Sequence, residues 1–103
     1  MKILDLVLTY HWYDMIESGE KKEEYREIKP YWIRRLIEQP MDEDSGHVFF
    51  RDYDYVCFHR GYTSTRMIFT VREIYMGVGK PEWGAPTDSH VFIIKLGKKI
   101  LTA

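Results

Sequence analysis

One segment of the chain, Gly19-Glu20-Lys21-Lys22-Glu23-Glu24-Tyr25-Arg26, is nearly free of apolar side chains. A strand normally buries at least one face. Here the even set is Lys22, Glu24, Arg26 and Ile28, and the odd set is Lys21, Glu23, Tyr25 and Glu27; neither is apolar. One account is an edge strand, where inward charges oppose aggregation. The other is a strand lining a polar cleft, with Lys21, Glu24 and Arg26 converging on a ligand. Arg26 offers a planar fork of donors for a phosphate or a base edge, and Lys21 supplies a point charge. An ionised Glu24 only accepts hydrogen bonds, which suits the exocyclic amine of a nucleobase. Strict alternation puts Lys21 and Glu24 on opposite faces. Their convergence therefore requires the strand to begin after Lys22, or a bulge that re-aims Lys21.

Other residues are weaker candidates. Tyr62, between Gly61 and Thr63, and Trp83, in Trp83-Gly84-Ala85-Pro86, are loop aromatics able to stack on a base or to anchor their loops. Arg72 joins a phosphate-binding group if it points into the mouth of a barrel. Cys57 alternates with Tyr55 and His59; the expectation is a structural thiol rather than a Cys–His nucleophile. His11, His47, His59 and His90 are scattered without the spacing of a zinc site, and with a single cysteine no Cys-based cluster forms, so no metal and no cofactor are expected.

These residues are carried by a chain of 103 residues, read as one domain over 1–103. With 45 % apolar and 30 % charged residues it has the composition of a soluble globular protein, expected in the cytoplasm: no apolar run spans a membrane and Met1–Asp5 lacks the pattern of a signal peptide. A net charge of −1 argues against gripping long duplex nucleic acid by bulk charge. Charge is nevertheless segregated: Glu38–Asp54 carries a net −5, and His59–Arg72 a net +3.

The pattern predicts a buried first strand at Ile3–Leu8, then a helix over Tyr10–Ser18 capped by the Thr9 hydroxyl, with Trp12, Met15 and Ile16 on its core stripe. Gly19 ends that helix in the left-handed conformation. A strand follows at Lys22–Ile28, and Pro30 opens a second helix whose Trp32 or Ile33, Leu36 and Ile37 face the core. Gln39–Asp52 reads as an acidic loop too polar to pack. Strands are expected at Tyr53–Arg60, Arg66–Tyr75 and His90–Leu96, with a hairpin loop at Gly61–Ser64 and a long structured loop at Gly77–Asp88. About five strands and two early helices in mixed order give an α+β class, a small curled sheet or open barrel with helices at one side.

Gly19, Lys21, Glu24 and Arg26 reproduce the Gly-x-Lys-x-x-Glu-x-Arg signature of ASCH domains, members of the PUA-like superfamily, which the chain resembles over most of its length. The resemblance includes Glu17-Ser18-Gly19, the Tyr-Asp-x-Val-x-Phe strand Tyr53–Phe58, the Val71–Ile74 strand before Gly77-Val78-Gly79, and Ile93–Gly97. It implies a small PUA-like mixed β-barrel with two or three helices and a cleft built on the signature, taking RNA or a nucleoside or nucleotide. Some small members resemble amidohydrolases that deacylate acetylated cytidine with a Lys, a Thr and a Glu. Lys21 matches that lysine, Glu24 stands at the threonine position, and Glu73 is the candidate for the later glutamate.

The favoured expectation is thus an RNA- or nucleotide-binding domain using Lys21, Glu24, Arg26, Tyr62, Arg72 and Trp83. The alternative is a hydrolase, an amidohydrolase or a metal-independent ribonuclease, using Lys21 and Glu73. A third reading is an interaction protein whose acidic loop docks a basic partner.

Overall fold

Alternation along Ile3–Leu8 (β1) sends Leu4, Leu6 and Leu8 into the core and leaves Ile3, Asp5 and Val7 outward. β1 is therefore buried on one face only. In the computed structural model, which describes residues 1–39, 44 and 46–103, the following elements are helix α1 (Tyr10–Glu17), strand β2 (Glu23–Arg26), helix α2 (Pro30–Leu36), and strands β3 (Tyr55–Arg60), β4 (Arg66–Val78) and β5 (His90–Thr102). A single 3₁₀ turn, Pro81–Trp83, lies in the β4–β5 connection.

The five strands form one curled sheet in the order β1-β3-β4-β5-β2. β1 runs parallel to β3, a pairing that requires the long crossover through α1, β2 and α2; the remaining neighbours are antiparallel. The architecture is thus the expected mixed α+β, a five-stranded half-barrel with two helices. Its edges, β1 and β2, face each other across a gap instead of pairing, and Arg26 Nη2 donates across it to the Val7 carbonyl at 3.4 Å. Among the described residues no helix is long and apolar enough to cross a membrane.

The main core gathers Leu4, Leu6 and Leu8 with Val56, Phe58, Met67, Phe92 and Ile94 inside the curl, closed by Tyr13 and Ile16 of α1 and Leu36 of α2. On the outer side of β5, Val91 and Ile93 join Tyr25 and Ala85 in a second cluster, sealed by Tyr75 and Trp83. β5 is therefore covered on both faces from Val91 to Ile94. This accounts for its uninterrupted apolar run.

Several local expectations shift. Thr9 occupies the position before α1 with extended backbone, but its side chain makes no capping bond; its carbonyl accepts the first intrahelical bond, from Tyr13 N–H at 3.0 Å. Tyr13 and Ile16 carry the buried face of α1, and Trp12 is turned toward its flank. Gly19 ends the helix at φ +86°, as glycine does cheaply. β4 and β5 are longer than their apolar runs. Register shifts between Ile68 and Glu73 re-aim β4, and Gly97–Thr102 continues the ladder against Met67–Phe69. Of the expected acidic loop Gln39–Asp52, residues 40–43 and 45 lie outside the described residues. Its returning end does pack: Phe50 bridges to Ile37 and meets the Phe92 ring edge-on at 6.1 Å.

Candidate functional site

The geometric conflict between Lys21 and Glu24 is resolved by where the strand begins. β2 starts at Glu23, so Lys21 lies in the turn after α1, its N–H donating to the Met15 carbonyl at 3.0 Å. From there the side chain runs inward. Lys21 Nζ sits 3.0 Å from Glu24 Oε1, donates to the Trp83 carbonyl, and lies 4.5 Å from the Trp12 ring centroid and 5.1 Å from that of Tyr25. Lys21 is 2 % exposed and Glu24 4 %. Burial holds the Lys21 ammonium below the usual lysine range, and the Glu24 carboxylate pulls the other way.

Arg26 completes the group. Its Nη1 lies 2.6 Å from Glu24 Oε2 and donates to the Tyr25 carbonyl at 2.7 Å, while its guanidinium lies 5.1 Å from the Trp32 ring centroid. Glu24 thus answers two cations with one carboxylate, leaving a net +1 whose exposed end is Arg26. β2 is an edge strand and also lines a cleft.

The cleft occupies the gap between the β1 and β2 edges and encloses about 850 Å³. One wall is β1 from Asp5 to Leu8 and Thr9; the other is Glu24–Glu27 with Lys29, Tyr31 and Trp32 of α2; Trp12 and Gly84–Pro86 close one end. Gly84 has φ +98°, and a Cβ there would stand 2.9 Å from the Trp12 indole, so only glycine lets this loop lie flush on that ring. Gly79 does the same beneath Tyr25 and Ala85, where a Cβ would approach to 2.6 and 2.7 Å. The loop is thereby pressed against the sheet, which brings the Trp83 carbonyl to Lys21.

Of the residues singled out from sequence, Lys21, Glu24 and Arg26 come together. Trp83 joins them through its carbonyl, its ring packing on the second cluster with Lys80 Nζ 4.3 Å from its centroid. Tyr62 is 99 % exposed and borders a different hollow. Arg72 is exposed at a register shift of β4, outside the cleft lining. Glu73 is also exposed; it pairs with Lys95, which pairs with Glu23, so it shares the outer sheet face with Glu23 and Tyr25, opposite Glu24 and Arg26. Sequence reasoning missed the aromatic walls: Trp12 and Trp32 read as core, but each spends part of its ring on the cleft. A half-polar neighbour set (His11, Thr9, Lys29) was the available signal.

Comparisons with protein-family models, with curated proteins and with solved structures return no match for this chain.

Proposed function

We propose that the cleft is a nucleobase-recognition site of the ASCH, PUA-like kind, taking a nucleoside or nucleotide, free or as an unpaired residue of RNA. The observation that carries this reading is the Lys21–Glu24–Arg26 group, its first two members buried and Arg26 half-buried, at the wall of an aromatic-lined cleft. Its volume, about 850 Å³, falls within the range of small-molecule sites. Trp12, Tyr31 and Trp32 supply π-faces for a base, and stacking of that kind is worth about 1–3 kcal/mol. Glu24 keeps one lone pair on each oxygen after its two ion pairs, enough to accept from an exocyclic amine; Arg26 donates to a carbonyl or phosphate oxygen.

Charge narrows the ligand. The cleft-lining Asp5, Glu24 and Glu27 offset Arg26 and Lys29, so the wall is not a polyanion track. This supports recognition of one base with few phosphates over electrostatic capture of a long strand. Lys21 lies behind Glu24, its ammonium held by Glu24, the Trp83 carbonyl and the Trp12 ring, and Glu73 is on the opposite sheet face. That arrangement supports a positioning role for Lys21 and disfavours the hydrolase built on Lys21 and Glu73.

Tryptophan fluorescence and calorimetric titrations with cytidine, acetylated cytidine, uridine, AMP, GMP and a short single-stranded RNA test the reading, comparing wild type with Trp32→Ala and Arg26→Ala. Saturable binding of at least one, weakened tenfold or more in both variants, is expected. Absence of binding to every probe at millimolar concentration overturns it. Lys21-dependent release of the acyl group from acetylated cytidine, read by chromatography of the same samples, would establish the hydrolase instead.

A further inference from the structure

The parallel pairing of β1 with β3 places Asp5 opposite Cys57 and Val7 opposite His59. In a parallel pair, residues in register share a face, so Asp5, Cys57 and His59 all lie on the outer side of the sheet, away from Leu4, Leu6, Val56 and Phe58. One carboxylate oxygen, the thiol sulfur and one imidazole nitrogen lie within 4.8 Å of one another, with His59 Nε2 3.0 Å from Asp5 Oδ1. Cys57 is buried, His59 half-buried and Asp5 exposed, so the donors open from the sheet toward solvent.

We propose that Asp5, Cys57 and His59 form a three-ligand site for a zinc-type divalent cation. The donor set argues for the metal class: thiolate and imidazole select a borderline-soft ion over magnesium or calcium, which prefer oxygen cages. The spacing argues for the geometry. Around a tetrahedral zinc, with bonds of about 2.0–2.3 Å, donor atoms stand roughly 3.5 Å apart, so these three need only small side-chain adjustments. Cys57 binds as thiolate, its proton passing to solvent. The fourth position faces a hollow of about 330 Å³ lined by Val7, Gly61, Tyr62 and Thr63, leaving room for water or a small anion. Three protein ligands with one open position mark a metal that meets a ligand rather than a purely structural one. Arg66, opposite His59 in the β3–β4 ladder, is the cationic neighbour that a bound ion must tolerate.

The site borders the nucleobase cleft, with which it shares Asp5 and Val7, but its test needs no nucleotide. Cobalt(II) is titrated into the intact reduced chain and followed by absorption. The expected result is a thiolate-to-cobalt charge-transfer band that saturates at one ion per chain and is displaced by zinc. Cys57→Ser removes the band. Asp5→Asn and His59→Gln, at positions with solvent access where folding tolerates change, weaken binding tenfold or more, whereas His90→Gln leaves it unchanged. Failure of the wild type to develop the band overturns the proposal. So does a band that persists undiminished in both Asp5→Asn and His59→Gln.

Discussion

Lys21 and Glu24 form an ion pair of 3.0 Å in which both side chains are almost wholly shielded from water. Removing two charges from water costs several kcal/mol for each, and their attraction offsets this only when other partners satisfy the remaining donors and lone pairs. Here those partners are the Trp83 carbonyl and the Trp12 ring for Lys21, and Arg26 for Glu24. The pair therefore ties three separate pieces of chain together: the turn after α1, edge strand β2, and the loop before β5.

Breaking the pair from one side is costly. Glu24→Gln leaves the Lys21 ammonium buried without its counter-charge and is expected to lower stability by about 3–5 kcal/mol, with deprotonation of Lys21 setting the ceiling. Urea denaturation measures the loss. The double variant Lys21→Met/Glu24→Leu recovers most of it; a double-variant loss equal to the sum of the Lys21→Met and Glu24→Leu losses would show that the two residues are not coupled.

Arg26→Lys keeps the charge but not the fork. The guanidinium reaches Glu24, the Tyr25 carbonyl and the Val7 carbonyl at once, spanning the gap between sheet edges, which a single ammonium cannot do. Affinity for the nucleoside proposed for the cleft is expected to fall on the order of tenfold, about 1.4 kcal/mol. Calorimetry showing unchanged affinity would reduce the role of Arg26 to its charge alone.

Alkaline pH acts through Tyr25. Burial pushes its phenol well above the usual range; its O–H donates to Glu23 Oε1 at 2.8 Å, and its oxygen accepts from Lys80 N–H. The folded-state pKa is raised, so its contribution is complete below about pH 10 and is lost as pH rises beyond it. Buried Tyr13 and partly buried Tyr75 add to the same fall. Lys21 has the opposite sign: its lowered pKa makes its contribution grow with pH up to about 10.5. Tyr25→Phe is therefore expected to flatten the decline of urea midpoints between about pH 10 and 11.5, and parallel profiles would refute the assignment.

Tyr13 tests the core. Its hydroxyl is buried and has no hydrogen-bond partner among the described residues. An unsatisfied buried hydroxyl costs about 1–3 kcal/mol, so Tyr13→Phe is expected to leave stability unchanged or raise it by about 1 kcal/mol. A drop of similar size in thermal or urea unfolding would mean that the hydroxyl is partnered.

Much of the fold was legible because its signals are local. Alternation in Ile3–Leu8, glycine after Ser18, Pro30 at a helix start and the apolar run at Val91–Ile94 each report what one stretch of backbone must bury or turn. Gly97–Thr102 was missed as strand because its pairing with Met67–Phe69 depends on register shifts in β4, a distant partner. Likewise the hydroxyl of Thr9 suits a cap by type, but it makes no bond to the first turn of α1.

The sequence by itself determined the five-strand, two-helix order and gathered Lys21, Glu24 and Arg26 in one short polar segment, but their convergence depended on β2 beginning at Glu23. Tertiary structure alone decided the rest. It set β1 and β2 as facing edges with a cleft between them, sent the Trp83 carbonyl rather than its ring to Lys21, and turned Trp12 and Trp32 partly outward. It also set Asp5 beside Cys57 and His59, 52 and 54 positions away, because the β1–β3 register is chosen by which leucines bury against Val56 and Phe58. Spacing along a chain carries no trace of a contact fixed by the packing of the opposite face of the sheet.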